Sequence, residues 1–99
     1  MAIQKITVDV EMIDGTVHED VRVILADMIR YSDVSRRHKW GGLEEDPIRA
    51  GAFMAFAAMS RLGLYDENRG FDAFTTDVAM VSADFGDALE HTSLETPAV

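Results

Sequence analysis

The longest apolar stretch of the chain predicts a helix at the centre of the fold. Residues 50–59 include no charged or polar side chain, and at 100° per residue their large apolar side chains surround the helix axis. Asp46 suits an N-cap, Pro47 the first helical position, and Gly63 a left-handed C-cap. The apolar run is shorter than the about 20 residues that a membrane span requires. We therefore expect a core helix over 47–62.

Alternating apolar and polar residues before this helix predict a β-hairpin over 3–23. The apolar positions are Ile6, Val8 and Val10 on the first arm and Val17, Val21 and Val23 on the second. Asp14-Gly15 favours a two-residue type I′ turn, in which both central residues have positive φ. The triplet His18-Glu19-Asp20 interrupts the alternation. Because two strands alone are marginally stable, we expect the hairpin to pack on the helices or to pair with another copy.

Two further helices are predicted on either side of the central helix. The first covers about 27–39, with Asp27 as its N-cap and an apolar stripe that includes Tyr31. Its last turn gathers Arg36, Arg37, His38 and Lys39, where the helix dipole favours cations. The other covers about 71–85, where apolar residues recur at alternating spacings of three and four. This apolar seam consists of Phe71, Phe74, Val78, Val81 and Phe85.

These elements predict an α+β fold that is mainly α. We expect an N-terminal hairpin followed by a bundle of about three helices, forming a single globular domain over 1–86. Residues 87–99 are short, polar and contain Pro97, so we expect them to form a flexible tail. Ninety-nine residues provide one modest core, and 47% hydrophobic and 27% charged residues are typical of a globular chain.

Charge and cysteine content narrow the function classes. The net charge is −9, and no Lys or Arg follows Arg69. Such a surface repels a phosphate backbone, so we expect no nucleic-acid partner, whereas a basic or mixed-charge protein partner is compatible. The chain has no cysteine, which excludes disulfides, thiolate metal sites and a cysteine nucleophile. The N-terminal residues lack the pattern of a secretory signal, so we expect a cytoplasmic protein.

No arrangement of residues indicates catalysis, a cofactor or a metal. His18, His38 and His91 lie on different predicted elements, without the close spacing of many zinc sites. Ser32, Ser35 and His38 lack the nucleophile elbow and oxyanion loop of a hydrolase. Gly41-Gly42 lacks the following Lys and Ser or Thr of a phosphate-binding loop. We therefore expect a non-enzymatic protein with no cofactor.

Two sets of residues are candidates for binding a partner. Trp40 with Arg36 and Arg37 could anchor a partner, since Trp and Arg are common interface hot spots. Alternatively, Trp40 closes the core and the arginines only complement the helix dipole. The apolar seam could form a groove for a partner helix, or it could be intramolecular core. Six methionines favour, weakly, a surface that adapts to varied partners.

Several of these features together resemble one protein family. They are Asp27 and Tyr31, RRHKW from Arg36 to Trp40, DPIRAGAFMAFAAMSRLGL from Asp46 to Leu64, FDAF from Phe71 to Phe74, and Val78 and Val81. This pattern, over about 21–81, resembles the small tail assembly chaperones of long-tailed bacteriophages, especially those that infect actinobacteria. The matching motifs are helix starts, cores and stops, and none of them is catalytic.

The resemblance implies an assembly factor in the cytoplasm of a bacterial host. Such proteins bind the helical tape measure protein, keep it soluble while the tail tube polymerises, and are absent from the mature virion. We expect self-association through the third helix or the hairpin edge. Two other functions remain open: a small virion component, such as a head–tail connector or completion protein, and an antitoxin-like interaction module.

Overall fold

A three-stranded antiparallel sheet lies under the central helix in the computed structural model, which describes residues 5–42 and 44–84, with only the backbone at Asp84. In chain order the elements are β1 (Ile6–Met12), β2 (Val17–Val23), α1 (Leu25–His38), α2 (Pro47–Arg61), a 3-10 turn (Glu67–Arg69), α3 (Gly70–Asp77) and β3 (Val78–Asp84). The strand order is β2-β1-β3. The mixed α/β class is thus confirmed, with a larger sheet and a shorter helical part than the sequence predicted.

The sheet buries one face against α2. Val8 lies between Val21 and Ala83, and Val10 lies opposite Val81. Because opposite residues in antiparallel strands share a face, these apolar side chains form one layer under the helix. The predicted hairpin is confirmed over the described residues, and it packs on a helix.

The interruption at His18-Glu19-Asp20 is a β-bulge. Val8 pairs with Val21 but Val10 pairs with His18, so β2 has one extra residue opposite Asp9. Asp20 has a φ of 57°, and its backbone N–H donates to Oδ1 of Asp9 at 2.8 Å. This side-chain hydrogen bond replaces a ladder bond that the bulge removes.

The hairpin loop differs from the predicted type I′ turn. Met12 N–H donates to the Thr16 carbonyl at 2.7 Å, and Gly15 N–H donates to the Met12 carbonyl at 2.9 Å. Gly15 has a φ of 95°, whereas Asp14 is not among the described residues with positive φ. The loop is therefore a three-residue connection with glycine in the left-handed position, a common alternative for Asp-Gly sequences.

Helix α2 forms the core, as predicted. Every residue from 53 to 59 is buried. At its start Asp46 Oδ1 accepts the Arg49 N–H at 3.1 Å. At its end Gly63 has a φ of 77°, with hydrogen bonds from Gly63 N–H to the Ser60 carbonyl and from Leu64 N–H to the Met59 carbonyl. These two bonds form a Schellman motif, which glycine favours.

Helix α1 begins and ends at other residues than predicted. Ile24 is the N-cap, and Asp27 stands three residues later, where its Oδ2 accepts the Ile24 N–H at 3.0 Å. Aspartate is favourable at both positions, because both lie at the positive end of the helix dipole. At the other end Lys39 takes the left-handed conformation, with a φ of 59°, so the helix stops before Gly41.

The predicted helix over 71–85 is wrong in its second half. Helix α3 ends at Asp77 and β3 follows directly, so Val78 and Val81 lie on a strand. Thr75 and Thr76 both donate their hydroxyls to the Asp72 carbonyl, and Asp77 places a negative charge at the negative helix end. These features weaken the helix, while β3 completes a sheet that the hairpin alone would not stabilise. Phe85 and the tail 87–99 lie outside the described residues.

Candidate partner-binding groove

Aromatic side chains join the three helices above the sheet. Trp40 contacts Tyr31, His38, Phe53 and Phe71, with ring centroids 5.3 to 6.4 Å apart. The Arg49 guanidinium lies over the Trp40 ring at 5.1 Å, an arrangement that favours a cation–π interaction. Trp40 is half-buried and packs against the core. It thus closes the core while leaving part of its surface accessible.

A groove of about 830 Å³ opens between the first half of α2 and the α3–β3 segment. Among the described residues its lining is apolar or glycine, except for Asp46, Arg49 and Thr75. Ile48 on α2 is 85% exposed and Met80 on β3 is 64% exposed, although both side chains are large and apolar. Exposed apolar side chains around a concave surface are typical of a binding site.

The polar groups at the groove contact other residues of the fold. Asp46 caps α2 and forms a 3.6 Å ion pair with Arg49. The Thr75 hydroxyl donates to the Asp72 carbonyl at 2.7 Å. These polar groups therefore have partners within the fold, and what the groove offers to a ligand is mainly apolar surface.

A hydrogen-bonded network fixes the junction of α3 and β3 beside the groove. The Tyr65 hydroxyl donates to Asp77 Oδ2 at 2.7 Å, and Arg69 Nη2 donates to the same oxygen at 2.9 Å. The Tyr65 hydrogen bond, together with Arg69, holds the pKa of Asp77 below its usual value. Burial and the bond to Asp77 raise the pKa of Tyr65. The backbone carbonyl of Asp77 also accepts the Ile13 N–H at 2.8 Å, which ties this junction to the hairpin loop.

From the two predicted sets of partner-binding residues, the structure brings Trp40 and Phe71 together. The Phe71 ring lies 5.7 Å from Trp40 and 6.5 Å from Phe74, and it lines both the groove and a second hollow of about 520 Å³ beside Trp40. Val78 and Val81 line the groove. Arg36 and Arg37 are exposed in the last turn of α1, and neither is a lining residue of the groove or of the hollow.

Phe74 is 0% exposed and belongs to the core, so its ring is not accessible to a partner. Conversely, Ile48, Ala52 and Met80 line the groove but were not among the candidates. Ile48 and Ala52 are four residues apart on α2, a spacing that marks a shared helix face in the sequence. No spacing in the sequence marks Met80 as a groove residue, because its exposure depends on β3 being a strand.

Within residues 5–42 and 44–84, no helix is long and apolar enough to cross a membrane. The same part of the chain has no group of three or more His, Asp or Glu side chains that could hold a metal ion. Comparison of the chain with known protein families, curated proteins and solved structures found no match.

Proposed function

We propose that this protein is a non-enzymatic bacteriophage tail assembly chaperone that binds the tape measure protein and keeps it soluble during tail morphogenesis. The observation that carries the proposal is the apolar groove, with Ile48 85% exposed at its mouth. The motif pattern over 21–81 resembles this family, and this resemblance points to the tape measure protein as the ligand of the groove.

The groove suits one face of an apolar helix. Helix-in-groove recognition uses apolar side chains at positions i, i+3, i+4 and i+7 of the client. Each leucine-sized side chain buried in this way contributes about 1.5 to 3 kcal/mol. Small residues on the groove wall, Gly51 and Ala52, let a client side chain approach the α2 backbone closely. A long client with a repeated apolar face would bind several chaperone copies.

The charge of the chain suits the solubilising role. With a net charge of −9, bound copies add negative charge to the client and make its complexes repel one another. The groove lining itself includes one acidic and one basic side chain among the described residues, Asp46 and Arg49. An apolar client can therefore bind while the rest of the surface prevents aggregation. In this role the protein acts in the cytoplasm of the bacterial host and is absent from the mature virion.

The test is co-expression with the tape measure protein of the same phage, followed by pull-down and light scattering. We expect a soluble complex with several copies of the chaperone for the wild-type chain and an insoluble client for Ile48→Glu. Leu25→Glu is the matched control, because Leu25 is 67% exposed and also lies in the first turn of its helix. Both substitutions add a charge that the helix dipole favours, so neither should unfold the protein.

A client that stays insoluble with the wild-type chain would contradict the proposal. Equal loss of solubility with Ile48→Glu and Leu25→Glu would contradict the assignment of the groove. Mass spectrometry of purified virions distinguishes a chaperone from the alternative function. A head–tail connector or completion protein stays in the particle, whereas a chaperone does not.

A further inference from the structure

The two outer edges of the sheet differ in how they are protected. Within the described residues, the strand order leaves one edge of β2 and one edge of β3 without a neighbouring strand. β2 has charged residues at Glu19, Asp20 and Arg22, which are features that prevent edge-to-edge pairing. Both edge strands have a register shift, at Asp20 on β2 and at Ala79 on β3, but 78–83 on β3 includes no charged residue and no proline. β3 is therefore the edge that can accept another strand.

We propose that two copies of this chain pair through β3 in an antiparallel, two-fold symmetric arrangement centred on Val81. This register places Met80 opposite Ser82 of the second copy, in the regular part of β3 that follows the register shift at Ala79. It extends the sheet from three to six strands and satisfies the backbone groups at both β3 edges. Edge pairing of this kind gives a closed dimer, because each copy uses the same patch.

The distribution of charge argues for a second copy at this edge. Two chains of net charge −9 repel each other, so they can associate only where acidic side chains are sparse. In the proposed register Asp84 of each copy lies near the Val78 end of the other strand, so the two acidic residues fall at opposite ends of the strand pair. Met80, 64% exposed in one copy, gains Ser82 of the second copy as a neighbour.

The symmetry also determines where the grooves lie. Opposite residues in antiparallel strands share a face, so α2 of both copies lies on the same side of the extended sheet. The groove of each copy borders β3, and the two grooves therefore adjoin across the dimer axis. This pairing does not depend on the identity of the client, and its test requires only this chain.

The test compares two double variants by sedimentation velocity. In Met80→Lys/Ser82→Lys, each new lysine lies opposite a lysine of the second copy, whereas in Met80→Lys/Ser82→Glu it lies opposite a glutamate. Within one chain these positions lie across from Glu11 and Asp9, so the new lysines gain favourable neighbours, whereas the new glutamate faces Asp9 and lowers stability slightly. Circular dichroism checks that both variants are folded. We expect a dissociation constant raised roughly tenfold or more for the double lysine variant, and a retained dimer for the lysine–glutamate variant.

Val17→Lys is the matched control on the other edge. Val17 is exposed and lies opposite Glu11 on the β2 side, as Met80 does on the β3 side. We expect this variant to keep the wild-type mass of twice 11.0 kDa. A wild-type chain that sediments at 11.0 kDa at roughly 100 µM would overturn the proposal, since pairing that weak has little bearing on assembly. Equal dissociation constants for the two double variants would overturn the register.

Discussion

Arg61 at the end of α2 binds Asp27 in the first turn of α1 through two hydrogen bonds. Nη2 of Arg61 lies 3.0 Å from Oδ2 of Asp27, and Nε lies 3.3 Å from Oδ1. Nη2 also donates to the backbone carbonyl of Arg22 at 2.9 Å, near the end of β2. Asp27 is only 1% exposed, and its carboxylate also accepts the Ile24 N–H. One ion pair thus joins two helices and the sheet.

Replacing Arg61 with alanine should destabilise the fold strongly. The substitution leaves the buried carboxylate of Asp27 without its cationic partner, so we expect the free energy of unfolding to fall by about 2 to 4 kcal/mol. Urea denaturation followed by circular dichroism measures this. Arg36→Ala is the control, since the Arg36–Asp33 pair is exposed and should contribute less than about 1 kcal/mol. Equal losses for the two variants would show that the Asp27–Arg61 pair has no special role.

The parts of the fold that follow local rules could be predicted from the sequence. The start and end of α2 depend on Asp46, Pro47 and Gly63, which act on backbone groups within a few residues. The alternation of the second arm is interrupted at 18–20, where the bulge lies, although the sequence did not specify a bulge. The role of Asp27 was missed because its partner Arg61 is 34 residues away, and no local pattern reports such a contact.

The strand β3 and the groove could not be predicted in the same way. Val78 and Val81 are three residues apart, which fits a helix better than a regular strand, and the register shift at Ala79 that changes this spacing gives no signal in the sequence. The residues 78–84 form a strand because they pair with the second edge of β1, whose backbone groups would otherwise lack partners. Since the groove lies between α2 and β3, its exposed residue Met80 could be recognised only after that pairing was known.

The Asp77 network should make stability depend on acid pH. The pKa of Asp77 is lowered by its hydrogen bond from Tyr65 and by Arg69. A carboxylate with a depressed pKa in the folded state stabilises the protein above its unfolded pKa, and this contribution is lost as the pH falls below about 4. Asp77→Asn should therefore be less stable than wild type at neutral pH, and the difference should shrink toward pH 3 or so. Thermal unfolding across this range measures the difference.

Asp72→Asn controls for the change in net charge, because Asp72 lies on the same helix and outside the network. We expect it to lose less stability than Asp77→Asn at neutral pH, because Asp72 is not part of the network. A stability difference between wild type and Asp77→Asn that stays constant through the acid range would contradict the role of the Asp77 carboxylate.

Phe74→Ala should unfold or severely destabilise the protein. The ring is 0% exposed and packs against Phe56 and Tyr65, so its removal leaves a cavity that costs about 3 to 5 kcal/mol. Ile48→Glu should change the free energy of unfolding by less than about 0.5 kcal/mol, since that side chain is exposed. Chemical denaturation of both variants separates core residues from groove residues. A stable Phe74→Ala variant would show that this ring is not part of the core.

Substitutions of Gly51 test how closely α2 approaches β3. A Cβ atom at this position would lie 3.4 Å from the Ala83 Cβ, which is ordinary van der Waals contact. Gly51→Ala should therefore raise the free energy of unfolding by about 0.5 to 1 kcal/mol, because alanine favours the helix. Leucine is also a good helix former, but in Gly51→Leu it must displace Ala83, so the free energy of unfolding should be about 1 to 3 kcal/mol lower than that of Gly51→Ala. Melting temperatures of both variants provide the measurement, and equal values would mean that β3 does not lie against this part of α2.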